Sequence, residues 1–142
     1  MTFADKLELL DRMLDHEGVK DFHAYEFMQP KRGEPPVELL WHIVPTARVL
    51  QDARDAVGPI HVTNGYRDDA YNRKIGGQPR SLHKEMCAAD VSPVKVSVKK
   101  LWAFLEAHPW APWMGLGRYN TFVHLDTRFV IGRKAPARWD NR

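Results

Sequence analysis

Two short stretches of this sequence hold the residue types that metal-assisted chemistry uses: Ser81, His83 and Asp90 in SLHKEMCAAD, and His124 and Asp126 in TFVHLD. Asp90 closes the apolar run Met-Cys-Ala-Ala, an expensive place for a carboxylate unless it is paired or bound to a metal. On a strand, side chains two apart share a face, so Phe122, His124 and Asp126 point one way while Val123 and Leu125 point into a core. Two imidazole nitrogens and one carboxylate oxygen are ligands that catalytic zinc accepts, with a fourth position left for water. That set suits a hydrolase. His83, Asp90 and His124 also read as a buried hydrogen-bonded cluster without metal, and spacing alone leaves both readings open. Of the other histidines, His16, His23, His42 and His108 read as surface or core residues and His61 as a satisfied strand residue. Cys87 is the one cysteine. It excludes an intramolecular disulfide and an all-cysteine zinc cluster, so any metal must use His, Asp or Glu.

The elements that position these residues follow from periodicity and punctuation. Phe3, Leu7, Leu10 and Leu14 predict a helix over 3–17, capped by Thr2 and stopped by Gly18. Three prolines and a glycine make 22–36 a surface loop. An apolar stripe from Leu40 to Val57 predicts a helix over 37–57, kinked or restarted at Pro45 and ended by Gly58-Pro59. Residues 60–63 form a short β-branched strand, followed by a turn at Asn64-Gly65 and a long loop over 64–85. A second strand spans 86–91, and Ser97 caps a helix that runs to about 108. Residues 115–119 and 122–126 form strands around a turn at Asn120, 129–131 form a further strand, and 133–142 form a loose basic tail. The expected architecture is one α+β domain over 1–142, with a small, mainly antiparallel sheet and flanking helices.

Composition bounds the class. With 142 residues, 44% hydrophobic and 27% charged, the chain has the length and content of one globular domain. The net charge of +3 suits many acidic partners and specifies none. It calls for neither nucleic acid nor a membrane, and a monomer is expected. The N-terminus carries acidic residues where a secretory signal needs a positive start, so the chain is expected in the cytoplasm as synthesised. Export through a holin or within a phage particle stays open.

The segment VTNGYRDDAYNRKIGGQPRSLHKEMCAADV, followed by GLGRYNTFVHLDTR, resembles the zinc peptidases that include D-alanyl-D-alanine carboxypeptidases and phage L-alanyl-D-glutamate endopeptidases. Their metal-binding core is shared with hedgehog-type folds. The resemblance is close over residues 60–128; FHAYEF near residue 22 and the helix before Gly58 fit the single-domain members more loosely. The family pattern Ser-x-His-x-x-Gly-x-Ala-x-Asp falls on Ser81, His83, Met86, Ala88 and Asp90, and its later His-x-Asp on His124 and Asp126. The resemblance implies His83, Asp90 and His124 as ligands of Zn2+. It implies Arg67 as the group that holds a substrate carboxylate and Ser81 as a support of a ligand. Tyr66, Asn72, Gly76 and Gly77 would shape the loop under the substrate.

The implied activity is hydrolysis of peptide bonds in peptidoglycan stem peptides, as a carboxypeptidase or an endopeptidase. Two positions depart from the pattern. Met86 stands where the family has glycine, so a positive φ there costs energy. Thr121 stands three residues before the second histidine, where the best-known members carry an acid, and threonine cannot serve as the base. Asp126 is then the candidate base, or else the partner that fixes a histidine or Arg67; Glu85 is a weaker candidate. The alternative is a weakly active or inactive zinc-containing module that binds peptidoglycan or serves as a phage structural part.

Overall fold

The computed structural model describes all 142 residues. Thr2 and Asp5 form a reciprocal capping box at the start of α1 (Phe3–His16), which buries Leu10 and Leu14. Residues 22–36 are not the surface loop expected. They contain a short helix, α2 (Ala24–Phe27), and a 3-10 turn (Pro30–Arg32). Phe22, Ala24, Phe27 and Met28 are all buried, so apolar anchoring overrides the prolines. A second 3-10 turn (Val37–His42) leads into α3 (Ile43–Val57). Pro45 therefore lies in the first turn of a restarted helix, where its missing N–H has no partner to lose.

Strand β1 (Ile60–Asn64) follows, and then α4 (Asp69–Lys74), a helix inside the expected loop over 64–85. Asp68 caps it through Tyr71 N. Strand β2 (Ala88–Pro93) begins two residues later than expected, and Ser97 caps α5 (Val98–Glu106) as expected. A 3-10 turn (Ala111–Trp113), β3 (Gly115–Arg118) and β4 (Val123–Asp126) complete the central sheet. Residues 129–131 are not a strand but part of a 3-10 turn (Arg128–Ile131). The 133–142 tail is not loose, because it supplies β5 (Ala137–Asp140).

The sheet has the order β1-β2-β4-β3-β5, antiparallel throughout except for the parallel pair β3 and β5. The expected α+β architecture holds. Leu116, Leu125 and Ala89 pair across three strands on one face, alongside Val123 and Val91. That face packs into a continuous core with α1, α3 and α5, in which Leu10, Leu40, Ile43, Leu50, Leu101 and Leu105 are almost completely buried. Each such side chain contributes about 1.5–3 kcal/mol through burial. The other face carries a different row. Asn64, Asp90, His124, Gly117 and Trp139 are register partners from β1 to β5.

Helix α3 also fixes the far end of the sheet. Thr46 and Thr127 share a 2.7 Å hydroxyl contact in the interior, and Thr46 Oγ1 donates to the Cys87 carbonyl. Thr127 N donates to the same carbonyl, which anchors the chain just before Arg128. No helix is long and apolar enough to cross a membrane.

Candidate metal centre

Asp90 and His124 are direct register partners on β2 and β4, so their side chains rise together from the polar face. His83 reaches the same point from the turn before β2. One ligand atom from each of the three lies within 4.8 Å of the others, and all three residues are buried. His83 Nε2 is 3.4 Å from Asp90 Oδ2, and His124 Nδ1 is 3.1 Å from Asp90 Oδ1.

The remaining nitrogens show which atoms face the centre. His83 Nδ1 lies 2.8 Å from the Gly65 carbonyl. A carbonyl only accepts, so Nδ1 carries the proton and Nε2 faces the centre. His124 Nε2 donates to Asp126 Oδ2 at 2.8 Å, which leaves Nδ1 towards Asp90. Backbone and carboxylate partners of this kind orient metal-binding histidines. Two imidazole nitrogens and a carboxylate oxygen, convergent and already held from behind, fit a metal ion.

Asp126 is fully buried, and four donors converge on it. His124 Nε2 is one, and Gly115 N donates at 3.1 Å. Arg128 closes a fork through Nε at 2.8 Å and a terminal nitrogen at 2.9 Å. Burial alone would raise the pKa of Asp126, but Arg128 and His124 hold it well below the usual carboxylate range. Asp90 shows the same balance, its burial outweighed by His124 and His83. His124, between two carboxylates, is pushed up to about 9 despite its burial. Burial lowers the pKa of His83, with Asp90 opposing.

The centre lies in a cleft of about 570 Å³. Four arginines line it, Arg67, Arg80, Arg128 and Arg133, while its only acids are Asp90 and Asp126, both engaged. Arg67 projects from the turn after β1, and its backbone N–H donates to the His83 carbonyl. Its Nε is buried without a partner, and desolvation lowers its pKa while Asp90 raises it.

The other expected site residues divide. Ser81 lines the cleft, and its Oγ accepts from His83 N at 3.2 Å, so it props the backbone of His83. Gly76 and Gly77 line the cleft, and beneath them buried Asn72 ties the loop by donating to the Gln78 carbonyl. Tyr66 is not brought to the cleft: it is buried in the main core. Glu85 is half-buried and does not line the cleft, and its carbonyl takes a hydrogen bond from His42. Thr121 is exposed in the turn before β4. Met86 does adopt the left-handed conformation, with φ 54°, and its side chain is fully buried. The backbone keeps glycine's shape at a cost of roughly 1–2 kcal/mol, which burial of the thioether offsets. Among the remaining histidines, His61 stands in β1 opposite Ser92 with its side chain open to solvent, and buried His108 pairs with Asp52 at 2.9 Å.

Sequence reasoning missed Arg128, Tyr119 and Trp139. The Trp139 ring packs against His124 with centroids 4.9 Å apart. The signal that was present is the pair of glycines in GLGR. A Cβ on Gly117 would collide with the Trp139 indole, and one on Gly115 with the Asp126 carboxylate and Arg128. Glycines two apart on one strand face mark space that something else fills.

The family model described as Peptidase M15 matches residues 10–126, from the second half of α1 to the end of β4, and includes all three centre residues. No curated protein matches the chain.

Proposed function

The chain belongs to the peptidase M15 family, a family of metal-dependent peptidases, and on that premise we propose that it is a zinc-dependent hydrolase of peptidoglycan stem peptides. The observation that carries this reading is the convergence of His83 Nε2, the Asp90 carboxylate and His124 Nδ1 in one buried centre that opens on a cleft. His83, Asp90 and His124 would hold the zinc, which would supply Lewis-acid chemistry for hydrolysis when bound.

The chain's own groups do the rest. Gly65 and Asp126 hold the two histidines in the required ring orientations. Arg67 binds a substrate carboxylate through its planar fork, which suits an unpartnered guanidinium beside the centre. Arg80 and Arg133 extend the positive wall of the cleft and favour a peptide with more than one carboxylate, as stem peptides have. Asp126 acts as the orienting partner of His124 rather than as the base, because Arg128 and Gly115 already occupy its oxygens.

One observation favours a second reading, in which the module binds peptidoglycan without cutting it. No unengaged carboxylate lines the cleft, and Thr121 stands outside it. Mass spectrometry of muropeptides after incubation with the zinc-loaded protein separates the two. Loss of a terminal residue identifies a carboxypeptidase, and cleavage within the stem an endopeptidase. Unchanged muropeptides, together with retention of the protein on insoluble peptidoglycan, would support the binding module.

A further inference from the structure

Tyr119 lies on the side of the cleft walled by the C-terminal strand. It follows β3 two residues after Gly117, the register partner of His124, so strand alternation keeps it on the polar face. Its N–H donates to the Phe122 carbonyl, which extends the β3–β4 pairing, and its ring stacks on Phe122 with centroids 4.2 Å apart. The side chain lines the cleft together with His83, Asp90 and His124.

The hydroxyl is held in an unusual way. Trp139 Nε1 donates to it at 3.1 Å and Asn141 Nδ2 at 3.3 Å. A phenol has one proton to give and two lone pairs to receive with. Both lone pairs are taken, and the hydroxyl donates to no group of the chain. An indole N–H can only donate, so the polarity of the Trp139 contact is fixed. The proton of Tyr119 is thereby left for something that enters the cleft. Trp139 is itself locked by the space above Gly117 and by its packing on His124.

We propose that Tyr119 is a catalytic residue whose hydroxyl donates a hydrogen bond to the scissile carbonyl oxygen as negative charge develops there. This rests on the peptidase reading above. Arg67, Arg80 and Arg133 provide charged partners for substrate carboxylates, whereas Tyr119 offers a phenol O–H that is held by Trp139 and Asn141 and has no acceptor in the chain. Such pre-aimed donors act most strongly on charge that appears only in the transition state. The C-terminal strand, beyond the stretch matched by the family model, is then part of the catalytic apparatus, because Trp139 and Asn141 aim the hydroxyl.

The test compares wild type with Tyr119→Phe, both loaded with zinc. The variant is expected to keep one zinc per chain and a KM within about threefold, and to lose about 10²–10³ in kcat on muropeptides, the usual worth of one oxyanion donor. Calorimetric binding of a phosphinate peptide, whose tetrahedral oxyanion mimics the transition state, should weaken by about 10²-fold, while binding of the planar product peptide changes less than about threefold. Equal kcat in the two proteins, or equal phosphinate affinity, overturns the role of Tyr119. A wild type that cuts no muropeptide overturns the peptidase reading instead, and the phosphinate comparison then decides Tyr119 alone. A wild type that binds no phosphinate overturns both.

Discussion

Replacing Asp126 with Asn separates the two roles a carboxylate at this position can play. The native group accepts four hydrogen bonds, from His124, Gly115 and twice from Arg128, and it is fully excluded from solvent. An amide has one oxygen to accept with, and its NH2 group must face one of the former donors. Arg128 loses its fork while remaining largely buried, with 12% of its side chain exposed. Breaking a buried pair in this way costs about 3–5 kcal/mol. For a domain of this length that lowers the melting temperature by about 10–15 °C, readable by calorimetry. His124 loses the acceptor that fixes its ring, so zinc affinity, measured by competition with a chelator, should fall about 10- to 100-fold. Turnover at saturating zinc should recover to near the wild-type value. A variant with unchanged zinc affinity that turns over 10²- to 10⁴-fold more slowly at saturating zinc would refute this reasoning and make Asp126 the proton acceptor.

Other consequences follow from the same geometry. Because Asp126 and Asp90 push the His124 pKa up to about 9 against its burial, zinc binding there should release a proton at neutral pH and apparent affinity should rise with pH; a flat profile between about pH 6.5 and 8.5 would contradict it. Because Asp90 and Asp126 are held below their unfolded value of about 3.9, their contribution is complete above that pH and lost as pH falls through the depressed range; urea midpoints should drop below about pH 4, and less steeply in Asp126→Asn. Gly117→Ala drives a methyl into the Trp139 indole and should cost about 1–3 kcal/mol, with β5 becoming sensitive to proteolysis before the rest of the chain. Met86→Gly relieves a strained φ but empties a fully buried site, so the net effect should be a destabilisation of about 1–4 kcal/mol; a more stable variant would show the strain to be the larger effect.

Much of the centre could be read from residues alone, because it depends on local rules. The alternation in Phe122–Asp126 put His124 and Asp126 on one face, and they do touch. Asp90 at the end of an apolar run signalled a paired carboxylate, and it pairs with both histidines. What could not be read depends on long-range contacts. The segment ARWD is short and half exposed, and nothing near it in sequence shows that it pairs in parallel with β3, some 22 residues earlier. Arg128 lies beyond the strand that carries Asp126, and only the 3-10 turn, anchored by Thr46 and Thr127, folds its guanidinium back onto that carboxylate. The buried helix α2 was hidden because Pro30, Pro35 and Pro36 punctuate the sequence just after it, while the anchoring of Phe22 and Phe27 comes from elements far away in the chain.

Crystals grown with zinc, measured on both sides of its absorption edge, test the centre most directly. The expected result is one strong anomalous peak bonded to His83 Nε2, an Asp90 oxygen and His124 Nδ1, at about 2.0–2.2 Å, with Asp126 still on His124 Nε2. Zinc bound elsewhere, or three side chains that keep their mutual hydrogen bonds in the presence of saturating zinc, would contradict it.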